Sequence, residues 1–244
     1  MCPLVFVAGI VDSIGGGGGL ISFPSFILAG LPPHQAVATN KMSSTCGTAL
    51  ATVRFAKKGY INWKQAFPSM AAGLIGSWAG THISLAVDSS VLEIALYIIL
   101  PITAVLVLRK GVLKETSEEM QFNRRTAVIA AIASLIIGVY DGFFGPGTGT
   151  FLIVAFSIFA KMDIRGANGQ CKAVNLTTNV MSLIVYLRSG QVLILLGAAA
   201  AVCNMAGNWI GSGLAMKSGV KLTRPTIIFV LFLLLLKIIG VLDF

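Results

Sequence analysis

The sequence predicts an all-α polytopic membrane protein built from two repeats of about four hydrophobic segments each. We expect the repeats to have opposite orientations in the membrane, and each to begin with a helix that is broken or re-entrant at a glycine cluster. Three observations support this fold class: an apolar composition, a series of apolar stretches of near-membrane length, and motifs that recur in the two halves of the chain.

The composition is that of a membrane protein. Hydrophobic residues make up 56% of the 244 residues and charged residues 11%, whereas soluble domains carry about a quarter charged side chains. A net charge of +9 would suggest a nucleic-acid partner in a soluble protein, but here Lys and Arg collect between apolar stretches, as membrane orientation signals do. We therefore expect the lipid bilayer, and no nucleic acid, as a partner. The N-terminus does not have the pattern of a removable signal peptide.

The sequence has few residues of the types that bind metals or cofactors. The four cysteines are scattered without CxxC spacing, and the only histidines are His34 and His82. This distribution argues against a disulfide, a zinc site or a haem, so we expect no metal and no cofactor. An enzyme would need a nucleophile with a base, or a set of metal ligands. The sequence offers neither, and we predict no catalytic residue.

Apolar stretches of roughly the 20 residues that a spanning helix needs follow one another along the chain. They lie near 4–30, 36–56, 66–87, 90–108, 126–160, 167–187, 191–216 and 225–242. A long hydrophilic segment interrupts the series. It divides the chain into an N-terminal repeat over 1–108, a cytoplasmic linker over 109–125 and a C-terminal repeat over 126–244.

The two halves share motifs at matched positions. The sequence "GIVDSIGGGG" at 9–18 aligns with "GVYDGFFGPG" at 138–147, and after a slip of two residues Lys172 aligns with Lys41 and Trp209 with Trp78. Internal repeats of this kind are typical of secondary transporters, which hold substrate where the repeats meet.

Basic residues indicate how the repeats are oriented. If each glycine-broken stretch enters and leaves the membrane on the same side, the halves are inverted, and 14 Lys and Arg lie inside against Arg188 alone outside. Full crossings would make the halves parallel, with 10 inside and 5 outside. The positive-inside rule favours the inverted arrangement. In addition, stretch 126–160 as a single helix would be about 52 Å long, too long for one crossing.

The glycine clusters predict a ligand site. A helix broken inside the membrane exposes backbone groups, which is tolerated only in a cavity or inside protein, and glycine lets that backbone turn and approach a ligand. The helices that restart after each cluster present N–H groups and a positive dipole end to an anion. Close helix packing is the alternative role, as the GxxxG spacing indicates for Gly76/Gly80 and Gly207/Gly211. The predicted binding residues are Gly16, Gly17, Gly18, Gly19, Gly145, Gly147, Thr148 and Gly149.

Two lysines extend the predicted site. Each begins a polar helix face with spacing i, i+3 and i+7, and the two faces occupy matched positions in the repeats. A lysine inside a membrane span costs several kcal/mol unless it is paired or hydrated, so it is a functional candidate. Snorkelling to the interface is the alternative. The predicted residues are Lys41, Ser44 and Thr48, then Lys172, Asn175 and Asn179, together with Asn40 and Thr45 as pocket-lining residues.

Two acidic residues lie at matched positions just before the glycine clusters. Asp12 and Asp141 are candidates for counter-charges to the lysines, for caps of the broken helices, or for proton carriers. We favour capping and ion pairing over a proton relay.

These motifs resemble a known family. The stretch "DSIGGGGGLISFPSFILAGLPPHQAVATNK" with "FAKKGYINW", and "YDGFFGPGTGTF" with "AVNLTTNVMSLIVYLRSG", are similar to the TauE/SafE family of sulfite exporters and 4-toluene sulfonate uptake permeases. The resemblance spans nearly the whole chain. It implies transport of a small sulfur-containing anion, such as sulfite, sulfoacetate or a related sulfonate, across a bacterial cytoplasmic membrane in which the protein is multi-pass.

The residues and the resemblance together favour a secondary transporter that binds a small anionic substrate and works by alternating access. An anion channel, or a permease for a carboxylate without sulfur, remains as an alternative. A second copy of the chain, forming a homodimer, is a further partner that the sequence leaves open.

Overall fold

The computed structural model describes residues 1–87 and 124–238, and every regular element in these ranges is an α-helix. The helices are α1 (Cys2–Gly15), α2 (Gly19–Ile27), α3 (Pro33–Lys57), α4 (Trp63–Ala86), α5 (Arg124–Phe143), α6 (Thr148–Ile158), α7 (Ile164–Arg188), α8 (Ile194–Ser218) and α9 (Val220–Ile238). The all-α fold class is thereby confirmed. The predicted stretch 90–108 and most of the linker 109–125 lie outside the described residues, and α5 begins within the last two linker positions.

Each half opens with two helices that a glycine turn separates. Gly16, which follows α1, has a φ of 77°. Between α5 and α6, Gly145 and Gly147 have φ values of 94° and 86°. Glycine adopts such values readily, whereas side chains with a Cβ atom disfavour them. The predicted breaks at both glycine clusters are confirmed.

Apolar side chains cover the outside of the bundle, and polar side chains fill much of its interior. Leu195 and Val202 of α8 are 88% and 69% exposed, and Ile136 of α5 is 66% exposed. Lys172 and Asn208, in contrast, are fully buried. A water-soluble protein has the opposite distribution. By length and composition, two of the described helices, α5 and α8, are apolar enough to cross a membrane.

Glycines allow α1 of the first half to pack closely against α8 of the second. A Cβ atom added to Gly207 would lie 2.1 Å from the Phe6 carbonyl oxygen, and one added to Gly211 would lie 2.5 Å from the Ile10 carbonyl oxygen. Only a residue without a side chain fits at these distances. Because both sequence positions increase together, α1 and α8 run parallel.

The same contact recurs between α4 and α5. A Cβ atom on Gly76 would lie 2.3 Å from the Leu135 carbonyl oxygen, and one on Gly80 would lie 2.0 Å from the Val139 carbonyl oxygen. These helices also run parallel. The close packing predicted for both GxxxG pairs is confirmed.

In the centre of the bundle, α3 and α7 run antiparallel. The Lys41 ammonium, early in α3, donates a hydrogen bond to Asn179 Oδ1, late in α7, at 3.1 Å. The Thr52 hydroxyl, late in α3, donates to the Lys172 carbonyl oxygen, early in α7, at 3.0 Å. The two lysine-bearing helices thus face each other in opposite directions.

Helix α8 lies beside α3 and runs parallel to it. The Leu193 amide, just before α8, donates to Thr39 Oγ1 at 3.2 Å. Towards the other end of both helices, the Arg54 guanidinium donates to Ser212 Oγ at 2.7 Å.

Helices α4 and α7 also lie side by side and run parallel. Gln170 Nε2 donates to the Asn62 carbonyl oxygen at 2.9 Å, and the Tyr186 hydroxyl donates to Ser84 Oγ at 3.1 Å. Helices α1, α3 and α8 therefore run in one direction, and α4, α5 and α7 run in the other.

We expect Gly207→Ala to destabilise the bundle, because its methyl group meets the α1 backbone at a distance that no Cβ atom tolerates. Overpacking of this kind costs about 1–3 kcal/mol. Gly213→Ala is the matched control on the same helix, since its Cβ atom meets only the end of the Arg54 side chain, at 3.3 Å, and no backbone atom. Thermal unfolding of the detergent-purified variants measures the effect, and equal melting temperatures would contradict the close α1–α8 contact.

Candidate functional site

Two buried ion pairs connect the halves. Lys41 Nζ of α3 lies 2.8 Å from Asp141 Oδ2 of α5, and Lys172 Nζ of α7 lies 3.0 Å from Asp12 Oδ2 of α1. Each lysine therefore pairs with the aspartate of the other half. Of the roles that the sequence left open for the aspartates, ion pairing is the one that this geometry supports, and their role in transport stays a prediction.

The pair of Lys172 and Asp12 is firmly held. The ammonium donates to the Asp12 carboxylate at 3.0 Å and to the Asp12 carbonyl oxygen at 2.5 Å. The lysine side chain is fully buried, whereas the aspartate side chain is 15% exposed. A hydrogen bond to a carbonyl near the C-terminal end of α1 also places the positive charge where the helix dipole favours it.

The pair of Lys41 and Asp141 is held less completely. The ammonium lies 2.8 Å from Asp141 Oδ2, and no other group in the described part of the chain donates a hydrogen bond to this buried oxygen. The ammonium donates instead to Asn179 Oδ1, and Asn179 Nδ2 donates to Asn175 Oδ1 at 3.4 Å. The two asparagines thus orient Lys41 from the opposite half.

This difference between the pairs follows from the sequence of the repeats. Where the second half has Asn175 and Asn179, the first half has Ser44 and Thr48 at the matched positions. Within the described part of the chain, the shorter side chains of the first half make no hydrogen bond to the Lys172 ammonium, which donates to Asp12 instead.

The two glycine turns touch each other between the halves. The Thr150 amide donates to the Gly16 carbonyl oxygen at 3.2 Å, and the Thr150 hydroxyl donates to the Gly15 carbonyl oxygen at 2.6 Å. A Cβ atom on Gly16 would lie 2.1 Å from the carbonyl carbon of Gly149. The backbone groups freed by one helix break are thus partly satisfied by the other, as a break inside a membrane requires.

A small cavity lies beside the glycine turns and Lys41. Its volume, counted as space open to the centre of a water molecule, is about 30 Å³, enough for about two water molecules. It is lined by Asp12, Gly16, Gly19, Asn40, Lys41, Ser44, Asp141, Phe144, Gly145, Gly147, Thr148, Gly149, Asn175 and Asn179.

All but one of the lining residues are among those predicted from the sequence. The exception is Phe144, whose ring packs edge to face on Phe23 at 5.6 Å. The sequence could have indicated Phe144 because it directly precedes Gly145. It was not predicted because the search for binding residues considered polar residues and glycines. That these residues bind a substrate remains a prediction.

Five predicted residues do not line the cavity. Gly17 and Gly18 accept hydrogen bonds within the first turn of α2, Thr45 donates to the Lys41 carbonyl oxygen, and the Thr48 carbonyl oxygen accepts from Thr52. Lys172, the fifth, is held by Asp12. In this conformation these five residues lie next to lining residues but do not border the cavity themselves.

Helix starts and side chains give the cavity mixed polarity. Gly19 opens α2, and Thr148 and Gly149 open α6, so that two helix N-termini with their partial positive charge face the same space. In addition, the buried oxygen Asn40 Oδ1 has no hydrogen-bond partner in the described ranges, and Asp141 Oδ2 has the Lys41 ammonium alone. A cavity with unsatisfied polar atoms and positive helix ends is suited to a polar ligand rather than an apolar one.

Comparison with known proteins decides the family. The family model described as sulfite exporter TauE/SafE matches residues 1–238. The chain belongs to the TauE/SafE family. The resemblance inferred from the motifs is thereby confirmed. Relatives of this chain carry the name of probable membrane transporter.

Three such relatives show the extent of the similarity. A "Probable membrane transporter protein ORF9" from Sinorhizobium sp is 32% identical, covering 96% of this chain and 89% of the relative. The "Probable membrane transporter protein YfcA" of Escherichia coli K12 is 32% identical, covering 93% and 84%. The "Probable membrane transporter protein YdhB" of Bacillus subtilis is 28% identical, covering 86% of each chain. No solved structure matches the chain.

We expect Gly147→Ala to weaken ligand binding at the cavity about 5- to 30-fold, because it disturbs the turn at which α6 begins. A residue with a Cβ atom at positive φ is strained by about 1–2 kcal/mol. Gly190→Ala is the matched control: it carries the same strain, at a φ of 72°, in open space outside the cavity. Binding of radiolabelled sulfite and sulfonates by purified, well-folded variants measures the effect, and unchanged affinity in Gly147→Ala would show that the turn serves packing alone.

Proposed function

We propose that the protein is a secondary transporter that moves a small sulfur-containing anion, such as sulfite, sulfoacetate or a similar sulfonate, across the bacterial cytoplasmic membrane by alternating access. The observation that carries this proposal is the buried polar cavity between the halves of a TauE/SafE chain, bordered by Lys41 and by two helix N-termini. Secondary transporters built from repeats hold substrate at such a junction.

The chemistry of the cavity supports an oxyanion ligand. An ammonium group and helix N-termini are the groups that bind sulfate-like and phosphate-like anions, and charge-assisted hydrogen bonds are about twice as strong as neutral ones. The limited volume of the cavity favours a small ligand. Asn40, Ser44 and Thr148 supply further polar groups around the same space.

Burial of the site supports alternating access. The side chains of Lys41 and Asp141 are only 4% and 2% exposed. Such burial favours access by rearrangement of the halves over the continuous water-filled path of a channel.

We also propose that the halves are inverted repeats. In support, α3 and α7 occupy matched positions in the halves yet run antiparallel, and the same opposition relates α1 to α5 and α4 to α8. The basic segments 54–64, 161–165 and 217–224 fall at one end of the bundle by these helix directions, and Arg188 at the other. The positive-inside rule then assigns the basic end to the cytoplasm.

Cysteine labelling in intact cells tests this topology. In a variant whose native cysteines are replaced by Ala, we expect Lys57→Cys and Lys221→Cys to be protected from a membrane-impermeant maleimide, because both lie at the basic end. Ser189→Cys, at the opposite end, should react. Labelling of Lys57→Cys and Lys221→Cys from opposite sides of the membrane would contradict inverted repeats, whatever the substrate.

We expect Lys41→Ala to abolish uptake of labelled sulfite, sulfoacetate and methanesulfonate into proteoliposomes, because the site loses its positive charge. The variant also leaves Asp141 buried without its partner, which costs about 3–5 kcal/mol. The double variant Lys41→Ala/Asp141→Ala removes this structural penalty and should fold better, yet it should still fail to transport. Lys57→Ala, an exposed lysine at the end of α3, is the control and should transport normally.

The same assay distinguishes the proposal from its alternatives. Saturable uptake that is accelerated by unlabelled anion on the opposite side supports a transporter, and non-saturating flux without exchange would indicate an anion channel. Uptake of a carboxylate in preference to every sulfur anion would contradict the proposed substrate class. Full uptake by Lys41→Ala would remove Lys41 from the site.

A further inference from the structure

The charges around the cavity already balance without a substrate. Lys41 is paired with Asp141, and Lys172 with Asp12, so two ammonium groups face two carboxylates. An anion that binds Lys41 adds a negative charge within a buried site, directly beside a carboxylate. Two carboxylate-like charges in close contact cannot both stay ionised where solvent is excluded.

Asp141 is the carboxylate that an anion bound to Lys41 would displace. Its Oδ2 atom lies 2.8 Å from Lys41 Nζ, the side chain is 2% exposed, and no second group among the described residues donates a hydrogen bond to this oxygen. Asp12, in contrast, keeps two contacts from the Lys172 ammonium. An anion can therefore replace Asp141 at its lysine more easily than it can replace Asp12.

Asp141 and Asp12 are the two carboxylates that line the cavity among the described residues, and Asp12 is held by Lys172. The titratable groups around Asp141 come from several helices. Lys41 faces Asp141 from α3, and Asp12 faces the cavity from α1. Lys172, Cys171 and Tyr186 lie on α7, and Tyr140 precedes Asp141 on α5. The Tyr140 hydroxyl donates to the Pro146 carbonyl oxygen. Helices α2 and α6 carry no titratable side chain, and those of α4, Lys64 and His82, are exposed.

We propose that Asp141 takes up one proton from solution when the anion binds Lys41, so that the protein is a proton–anion symporter. This inference rests on the proposed function and adds the coupling ion to it. The ion pair between Lys41 and Asp141 breaks, the ammonium forms a new pair with the anion, and the carboxylate becomes a neutral carboxylic acid. The site has no net charge before or after, and no redox step is involved.

The geometry also explains what holds the site in its protonated form. Lys41 keeps its hydrogen bond to Asn179 Oδ1, so the ammonium stays in place when Asp141 leaves it. The protonated carboxyl group becomes a hydrogen-bond donor, and the cavity presents an unpartnered acceptor, Asn40 Oδ1.

Symport of one proton with a monovalent anion is electroneutral. A pH gradient should therefore drive accumulation of methanesulfonate on the alkaline side of the membrane, and a membrane potential of either sign should leave the initial rate unchanged. Both can be imposed separately on proteoliposomes.

Proton uptake by the purified wild-type protein is the direct test. We expect about one proton more per bound anion than for Asp141→Asn, measured with the same anion in weakly buffered solution, so that protons exchanged by the anion itself cancel. By linkage, the dissociation constant of methanesulfonate should rise about tenfold per pH unit above neutrality in the wild type. Asp163→Asn, which conserves the cap at the start of α7 outside the cavity, is the matched control and should behave as wild type.

The variant Asp141→Asn should exchange labelled for unlabelled methanesulfonate, although more slowly than wild type, and should not accumulate it in a pH gradient. Accumulation driven by pH in this variant would overturn the assignment to Asp141, and so would its loss in an Asp12→Asn variant that keeps Asp141 and still exchanges the anion. If Asp141→Asn does not fold, the wild type still decides, because a dissociation constant independent of pH contradicts the inference. A wild type that exchanges anions without proton uptake refutes only the coupling, whereas a wild type that binds none of the tested anions refutes the proposed function.

Discussion

A lysine buried in a membrane bundle must be neutralised, and this constraint organises the molecule. Lys41 and Lys172 lie in the two central helices, and each finds its carboxylate on the first helix of the other half. Separating the halves would leave buried charges without partners, at a cost of about 3–5 kcal/mol each. The ion pairs therefore hold together the same interface at which the cavity lies.

The glycine turns follow from the positions of these aspartates. Each aspartate lies one helical turn before its glycine cluster, so pairing it with a central lysine brings both helix breaks to the middle of the bundle. There the breaks contact each other, and Thr150 satisfies carbonyl groups that the first break exposes. The absence of side chains at Gly16 and Gly149 is what allows the two backbones to meet.

The two repeats differ in sequence at matched positions, and their lysines therefore have different surroundings. The asparagines of α7 orient Lys41 towards the cavity, whereas the matched Ser44 and Thr48 leave Lys172 to Asp12. Both members of the Lys41 pair thus line the cavity, whereas in the Lys172 pair only Asp12 does. The two copies of the motif are therefore not equivalent in this structure.

Much of this could be predicted from the sequence, because the signals are local. Hydropathy defined the helices, glycine runs marked both breaks, and a repeated polar face singled out Lys41 and Asn179 among others. Which lysine meets which aspartate was decided only by tertiary structure, since it depends on helix direction and register across a hundred or more residues of chain. For the same reason, only packing shows that Lys172 lies behind Asp12 in this conformation, and that Phe144, which the sequence did not single out, forms part of the cavity wall. Sequence spacing identifies the face of a helix, but only packing decides what that face meets.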